Sequence, residues 1–433
     1  MRFAIAIPQS YADGSFDPDA FRSYFARAEA LGFDSAWAMD LVLGQGQAPF
    51  LGPIEAMTYA AACTSGLRLG CAIFVSTLYS PVHLAKSLSS LDQLSRGRLE
   101  IGLASGGSRR PFAAFGMSPD RYIARFTEGI DLMKELWTSP RVSFDGSFWA
   151  LSDAISEPKP FQKPHPPLWF GGAATGALRR AVRLGSGFFG AGSTTTADFA
   201  AQVVAVKEEL AAAGRPAAGF RIAKRVYIAV DSDGDRARQQ VNASLEGIYG
   251  RRVPSIEAAA IAGTVEDCVR GVRAVADAGA ELICFTPLSD LPGHMELIAA
   301  DIIPRVAAGL SARERSWQPE PWEQAGLEAD HGADPVAGEG EDIEAGPMAD
   351  AGRGAHVGAE RRLAIGPRRH EVEPAARAKQ AGAEAARQVP ALVFEGHRRH
   401  RDEDVIGQQG HQRVDIGGLP RRGELRRDRV LGG

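Results

Sequence analysis

The sequence predicts an α/β fold, a closed (β/α)₈ TIM barrel with insertions, from two observations. Short apolar strand patterns alternate with amphipathic helix patterns from the first residues to about residue 308. Eight such units fit within roughly 300 residues, a length typical of one parallel barrel. A doubly wound open sheet remains the alternative, because the number of strands does not show that a sheet closes.

The elements follow one another in a regular order. Residues 3–7 predict a strand, and residues 18–31 predict a helix that begins after the N-cap Asp17 and ends at Gly32. Further strands are predicted at 35–38, 69–74, 99–103, 168–170, 187–190, 220–230 and 282–285, and helices at 54–65, 81–94, 122–137, 176–184, 197–213, 265–278 and 295–308. Five prolines within residues 141–167 predict an extended excursion between the fourth and fifth strands.

The stretch 84–107 shows one complete unit. Its helix carries leucines at helical spacing, namely Leu84, Leu88, Leu91 and Leu94. Gly97 stands where a left-handed helix end is favoured, and alternating apolar residues then predict a strand. The small-residue loop 104–108 follows at the carboxyl end of that strand, where barrels of this type carry their chemistry.

A second loop of small residues, GGAATGA at 171–177, lies between the next predicted strand and a helix. Small residues let a ligand approach the backbone, and the N–H groups at a helix N-terminus attract phosphate. Together with loop 104–107, it predicts a phosphate cradle in which Thr175 adds a donor. A glycine-rich turn required for barrel closure is the alternative.

The amino-acid composition excludes some classes of function and distinguishes the C-terminal region from the rest of the chain. The net charge of −4 gives no reason to expect a nucleic acid, and no apolar run is long enough to span a membrane. Four widely spaced cysteines and the lack of a leader pattern at residues 1–8 favour the reducing cytoplasm.

The barrel is assigned to residues 1–310. Residues 311–433 lack Thr, Tyr, Asn and Cys, and roughly 15% of them are Leu, Ile, Val or Phe, which predicts either a frameshift or read-through product or a genuine disordered appendage.

Four motifs make the barrel region recognisable. They are W-x-x-D at 37–40, SLDQLSRGRLEIGLASGG at 90–107, PFQKPHPPLWFGG at 160–172 and GTVEDC at 263–268. With them the chain resembles the bacterial luciferase-like oxidoreductases over residues 2 to about 308. This resemblance implies a barrel that holds either the deazaflavin F420 or reduced FMN, a small organic substrate and a homodimeric assembly.

The resemblance also assigns site residues. The implied phosphate site comprises Ser105, Gly106, Ala174, Thr175, Gly176 and Ala177. A cis peptide bond between non-proline residues is implied near Cys71 and Ala72, where family members form a bulge against the cofactor ring. Asp40 is the candidate catalytic residue, as a base or as the holder of a water. A purely structural role for Asp40, as a cap at the end of its strand, is the alternative.

Departures from the family pattern shape the functional hypothesis. Leu41 stands where many members have a histidine, and Ala104 and Ser105 replace the cysteine and arginine of true luciferases, although Arg109 or Arg110 could supply the missing charge. F420-dependent hydride transfer is therefore favoured. The alternatives are an FMN-dependent monooxygenase served by a flavin reductase and a non-catalytic flavin-binding barrel.

Overall fold

The architecture is taken from a computed structural model that describes residues 1–11, 15–43, 49–107 and 111–309. The C-terminal region 311–433 and the two loop arginines, Arg109 and Arg110, lie outside these ranges. The strands are β1 (Arg2–Ala6), β2 (Ser35–Ala38), β3 (Arg68–Val75), β4 (Leu99–Ala104), β5 (Val142–Asp145), β6 (Ala150–Ala154), β7 (Leu168–Phe170), β8 (Gly187–Gly190), β9 (Arg221–Val230), β10 (Ile261–Gly263) and β11 (Leu282–Pro287).

Eight of these strands form a closed parallel barrel. Their order is β9-β11-β1-β2-β3-β4-β7-β8, and a pairing between β8 and β9 completes the ring. The predicted (β/α)₈ barrel is therefore confirmed, and the open-sheet alternative is wrong. The short strand β10 extends the sheet outside the ring by pairing in parallel with the carboxyl half of β9.

Helices cover the outside of the barrel. They are α1 (Pro18–Ala30), α2 (Pro53–Cys63), α3 (Pro81–Leu94), α4 (Tyr122–Thr138), α5 (Thr175–Leu184), α6 (Thr196–Ala212), α7 (Gly234–Tyr249), α8 (Pro254–Glu257), α9 (Val265–Asp277), α10 (Leu291–Leu297) and α11 (Ile303–Ala308). Residues 141–167 are more regular than the predicted extended excursion, because they include the antiparallel β5–β6 hairpin. The segment between β9 and α9 contains α7, α8 and β10. None of the helices in the described ranges has the length and apolarity needed to cross a membrane.

Large aromatic side chains fill the middle of the barrel. Trp37, Trp169 and Phe189 lie within one buried cluster, and their ring centroids are 4.7 to 5.9 Å apart. Glycine on neighbouring strands provides the space: a Cβ on Gly70 would lie 2.4 Å from the Trp37 ring, and one on Gly187 would lie 2.5 Å from Trp169. The barrel interior is therefore packed rather than hollow.

A buried ion cluster lies at the amino-terminal end of the barrel. The Glu100 carboxylate accepts hydrogen bonds from Arg2 at 2.5 Å, Arg68 at 2.6 Å and the Trp169 indole at 2.7 Å. Burial by itself raises the pKa of Glu100, but the two guanidinium groups outweigh it and hold the pKa at about 2. The cluster thus joins β1, β3, β4 and β7 through one charged side chain.

Removing the charge of Glu100 should destabilise the protein strongly. In Glu100→Gln, Arg68 loses its buried counter-charge and Arg2 keeps only its ion pair with Asp34, so we expect the free energy of unfolding to fall by about 3–5 kcal/mol in urea titrations. Glu296→Gln is the control, because Glu296 pairs with Arg27 on the exposed surface, where water screens the pair, and its loss should change the unfolding free energy much less. Equal losses in the two variants would contradict the role given to the cluster.

The same carboxylate should make stability depend on pH. Its pKa is about 2 in the folded protein and is raised to the ordinary 4.5 on unfolding, so its contribution is complete above pH 4.5 and is lost as the pH falls toward 2. The difference in unfolding free energy between wild type and Glu100→Gln should therefore shrink between pH 5 and pH 2. A difference that stays constant across this range would exclude the ionised state of Glu100 as its source.

Candidate active site

The two predicted loops of small residues lie side by side at the carboxyl end of the barrel. Strands β4 and β7 pair in parallel with Leu103 opposite Phe170, and the Gly171 N–H donates to the Leu103 carbonyl at 3.2 Å. Loops 105–107 and 171–174 therefore leave the barrel from adjacent strands. The juxtaposition expected from the sequence is present.

Both loops adopt backbone conformations that favour glycine. The φ angles are 83° at Gly106, 93° at Gly107 and 135° at Gly172. A Cβ on Gly172 would also lie 2.7 Å from the Cβ of Ala177, in the first turn of α5. The Thr77 hydroxyl donates to the Ser105 carbonyl at 2.9 Å and so fixes the first loop from the end of β3.

The N-terminus of α5 is open. Its N-cap residue, Ala174, has no side chain that could accept a hydrogen bond, and residues 172–176 are exposed. Within the described part of the chain, the N–H groups of Thr175 and Gly176 have no acceptor, whereas the Ala177 N–H bonds back to Ala174 at 2.7 Å. Free N–H groups and the positive end of the helix dipole create a local preference for an anion.

Beside these loops, β3 is irregular in the place that the family resemblance implies. The peptide bond between Ala72 and Ile73 is cis, and the pairing of β3 with β4 shifts register between Cys71 and Phe74. Ile73 lies close to Gly102 of the neighbouring β4 and to Gly171, which follows β7: a Cβ on Gly171 would come within 2.1 Å of its Cδ1, and one on Gly102 would come within 2.5 Å of its Cγ2.

Ala72 and Cys71 have different environments. The Ala72 side chain packs against the inner aromatic cluster of the barrel, whereas Cys71 is buried in the core formed with the surrounding helices. Burial, followed by the nearby Asp40 charge, raises the pKa of the Cys71 thiol well above its ordinary value. The thiol is thus protonated and turned away from the barrel interior, so Cys71 could contact a ligand only through its backbone.

Asp40 joins the ends of β2 and β3. Its Oδ2 accepts a hydrogen bond from the Val75 N–H at 2.9 Å, and its Oδ1 accepts one from the Tyr79 hydroxyl at 2.8 Å. Burial and the adjacent carboxylate both raise the pKa of Tyr79, which therefore stays protonated as a donor. These contacts match the structural alternative for Asp40 and leave its catalytic role a prediction.

Apolar side chains surround Asp40 on its exposed side. A shallow hollow there is lined by Asp40, Leu41, Val42, Leu43, Val75, Leu78, Pro111 and Phe115. Leu41, Val42 and Leu43 are each between 39% and 56% exposed, which is unusual for three consecutive apolar residues. An apolar part of a substrate is the kind of group that this surface fits.

Sequence reasoning missed Arg225, which points into the barrel from β9. Only 4% of its surface is exposed, and its Nη2 donates to the carbonyls of Ala38 at 3.3 Å and Ala72 at 3.1 Å. Its Nη1 lies 3.4 Å from the Thr286 hydroxyl. Among the described residues, Arg225 has only neutral partners. The available signal was a basic pair inside an otherwise apolar strand, RIAKRVYIAV.

The neighbouring Lys224 points the other way. Its ammonium group donates to the carbonyls of Ala191, Thr194 at 2.9 Å and Arg225 at 3.1 Å, and so fixes the loop that follows β8. His165, in the proline-containing stretch 141–167, lies near Leu168 and Ser186 at the amino-terminal ends of β7 and β8. It is therefore remote from the carboxyl-end loops.

The sequence of this chain matches the model of a known protein family. The model described as luciferase-like monooxygenase covers residues 1–282 of the 433-residue chain. The chain belongs to the luciferase-like monooxygenase family. The resemblance drawn from the four sequence motifs is thereby confirmed.

Relatives in this family include enzymes named for each of the two cofactors. An F420-dependent glucose-6-phosphate dehydrogenase of Amycolatopsis mediterranei is 27% identical over 327 residues, covering 68% of this chain and 96% of that protein. An FMNH(2)-dependent dimethylsulfone monooxygenase of Pseudomonas putida is 30% identical over 204 residues, covering 46% of this chain and 56% of that protein. The chain spans about half the length of several curated relatives that it matches, between 44% and 56%.

Solved structures agree on the fold. The monooxygenase RslO1 from Streptomyces bottropensis superimposes with a TM-score of 0.61 at 22% identity, over 70% of this chain and 99% of that one. At this identity the likeness supports the barrel architecture alone. The named relatives are luciferase-like oxidoreductases and monooxygenases. They include F420-dependent and FMN-dependent enzymes, so the comparison supports both cofactors equally.

Replacing Asp40 should test its structural role. In Asp40→Ala the Val75 N–H and the Tyr79 hydroxyl lose their acceptor, so we expect the unfolding free energy to fall by about 1–3 kcal/mol in urea titrations. Asp40→Asn should cost less, because the amide oxygen can still accept one hydrogen bond and the tyrosine hydroxyl can rotate. If both variants are as stable as wild type, these hydrogen bonds do not hold the site together.

Proposed function

We propose that this protein is a flavin-type oxidoreductase that binds F420 at the carboxyl end of the barrel and exchanges a hydride with a small organic substrate. The observation that carries the proposal is the pair of positive-φ glycine loops beside the open N-terminus of α5. The F420-dependent relative supports this choice of cofactor, because its match extends over nearly its whole length.

The residues present fit a phosphate-bearing cofactor. The backbone at Ser105, Gly106 and Ala174 and the first-turn residues Thr175, Gly176 and Ala177 are the proposed phosphate site. Glycine at 172 keeps the approach to α5 clear, since a side chain there would collide with Ala177. The N–H groups of Thr175 and Gly176 can donate to phosphate oxygens without first breaking an internal hydrogen bond, whereas the Ala177 N–H already bonds to the Ala174 carbonyl.

Other residues are proposed to serve the reacting end of the cofactor. When bound, F420 would supply a two-electron hydride carrier. The backbone at Cys71 and Ala72 would lie against the ring, and Arg225 would favour negative charge in the barrel mouth, because its buried guanidinium has only neutral partners among the described residues. Asp40 would keep the protonated Tyr79 in position beside the apolar hollow.

The second candidate is an FMN-dependent monooxygenase. The match to the dimethylsulfone monooxygenase favours it, because that relative is slightly more similar over the region it shares. Such an enzyme would use reduced flavin and oxygen, with a separate reductase. Leu41, in the position where many members have a histidine, also keeps the non-catalytic flavin-binding barrel as an alternative.

Cofactor titrations separate these possibilities. We expect the full-length protein to bind F420 at least tenfold more tightly than FMN when fluorescence is followed during titration. Gly172→Ala should weaken binding at least tenfold, because it introduces both a collision with Ala177 and an unfavourable φ. Gly32→Ala is the matched control: it has a φ of +80° with no atom in the way and should change the affinity less than twofold.

The outcomes are distinct. Tighter binding of FMN would replace the F420 proposal with the monooxygenase alternative. Failure to bind either cofactor would contradict all three flavin-based functions. If binding is intact in Gly172→Ala, the phosphate cradle lies elsewhere in the barrel.

A further inference from the structure

A second cleft lies on the opposite face of the barrel, at the amino-terminal ends of β7 and β8. It has a volume of about 570 Å³, which is within the usual range for small-molecule sites. Its lining residues come from α4, α5, the strand starts and the segment after α6, namely Lys134, His165, Leu168, Val182, Arg183, Leu184, Gly185, Ser186, Ala213 and Arg215. The proposed cofactor residues are absent from this set.

The charge of this cleft is one-sided. Lys134, Arg183 and Arg215 line it, and no carboxylate is among the lining residues that the structure describes. Asp131 interacts electrostatically with Lys134 and Arg183 but lies exposed on α4, outside the lining. Burial lowers the pKa of Lys134, the carboxylate of Asp131 opposes this shift, and the charge of Arg215 adds to it. Three cations therefore line the cleft, and Asp131 offsets part of their charge from outside the lining.

Capping of α5 explains only part of this arrangement. The Lys134 ammonium donates to the Leu184 carbonyl at 2.8 Å, and Arg215 donates to the Val182 carbonyl, so two cations stabilise the carboxyl end of the helix. Each uses one of several donors in this way, since an ammonium has three and a guanidinium five. Arg183 makes no hydrogen bond or ion pair with any described residue.

The other walls restrict the kind of ligand. Leu168, Val182 and Ala213 provide apolar surface next to the cations. His165 lies on the same wall, with its Nδ1 2.8 Å from the Pro166 carbonyl and its ring 5.6 Å from that of Trp137. A ligand that matches these walls has an anionic head and a compact apolar body.

We propose that this cleft binds a small molecule in which a phosphate group is attached to an apolar or aromatic body. The phosphate would be held by Arg183 and by the remaining donors of Lys134 and Arg215. The apolar body would lie against Leu168 and Val182. This is a second ligand site, separate from the cofactor site and independent of the proposed catalytic function.

Phenyl phosphate is a suitable probe, titrated calorimetrically into the full-length protein at low ionic strength. We expect binding to the wild type and a dissociation constant at least fivefold higher for Arg183→Gln, whose exposed side chain can be replaced without disturbing the core. Arg179→Gln is the matched control, because it removes the same charge from the same helix but lies outside the cleft, where Arg179 pairs with Glu209. It should change the dissociation constant less than twofold.

Two further titrations distinguish binding in the cleft from binding elsewhere on the protein. Benzyl alcohol, which lacks the anion, should not bind measurably, and Gly172→Ala, which obstructs the carboxyl-end cradle, should leave the phenyl phosphate titration unchanged. The proposal is overturned if wild type does not bind the probe, if Arg179→Gln weakens binding as much as Arg183→Gln, or if Gly172→Ala abolishes binding. Loss of binding in Gly172→Ala would assign the probe to the carboxyl-end cradle, whereas failure of FMN and F420 to bind would not affect the cleft.

Discussion

One buried carboxylate, Glu100, sets the geometry on which the rest of the barrel depends. Its hydrogen bonds to Arg2, Arg68 and Trp169 connect four strands that are far apart in sequence. A shift of one residue in any of these strands would turn its side chain to the other face of the sheet and deprive the buried carboxylate of one of its three partners. The alignment of the loops at the opposite end follows from this register, because β4 and β7 carry both Glu100 and the two glycine loops.

Above this cluster, large side chains in the barrel interior each pack against a glycine, which has no side chain to obstruct them. Gly70 and Gly187 make room for tryptophan rings, and Gly102 and Gly171 make room for Ile73. Such pairs of a large side chain and a glycine thus fill the centre of the barrel and also form the floor of the candidate site. Substitution at Gly70, Gly187 or Gly102 would disturb packing, because the colliding atoms belong to the buried rings of Trp37 and Trp169 or to the Cys71 backbone, whereas substitution at Gly171 would displace the end of the Ile73 side chain.

The parts of the molecule that the sequence predicted well depend on local patterns. The helix Pro81–Leu94 and the strands Leu168–Phe170 and Gly187–Gly190 begin and end at the predicted residues, because capping residues, prolines and apolar periodicity act over a few positions. Proline content did not reveal the β5–β6 hairpin. The outward thiol of Cys71 and the inward guanidinium of Arg225 depend on strand orientation within a closed ring, which no single segment encodes.

The length of β9, ten residues, has a consequence for how the protein could diversify. Its last three residues pair with β10, which lies outside the ring, and Tyr227 and Ala229 pack with buried residues of α7. On this side of the barrel mouth, β10 and α7 therefore support β9. The side near Asp40 instead presents the exposed apolar residues Leu41 and Val42. Changes in substrate preference can accumulate on the second side at little structural cost, so paralogues should differ there and resemble one another along β9.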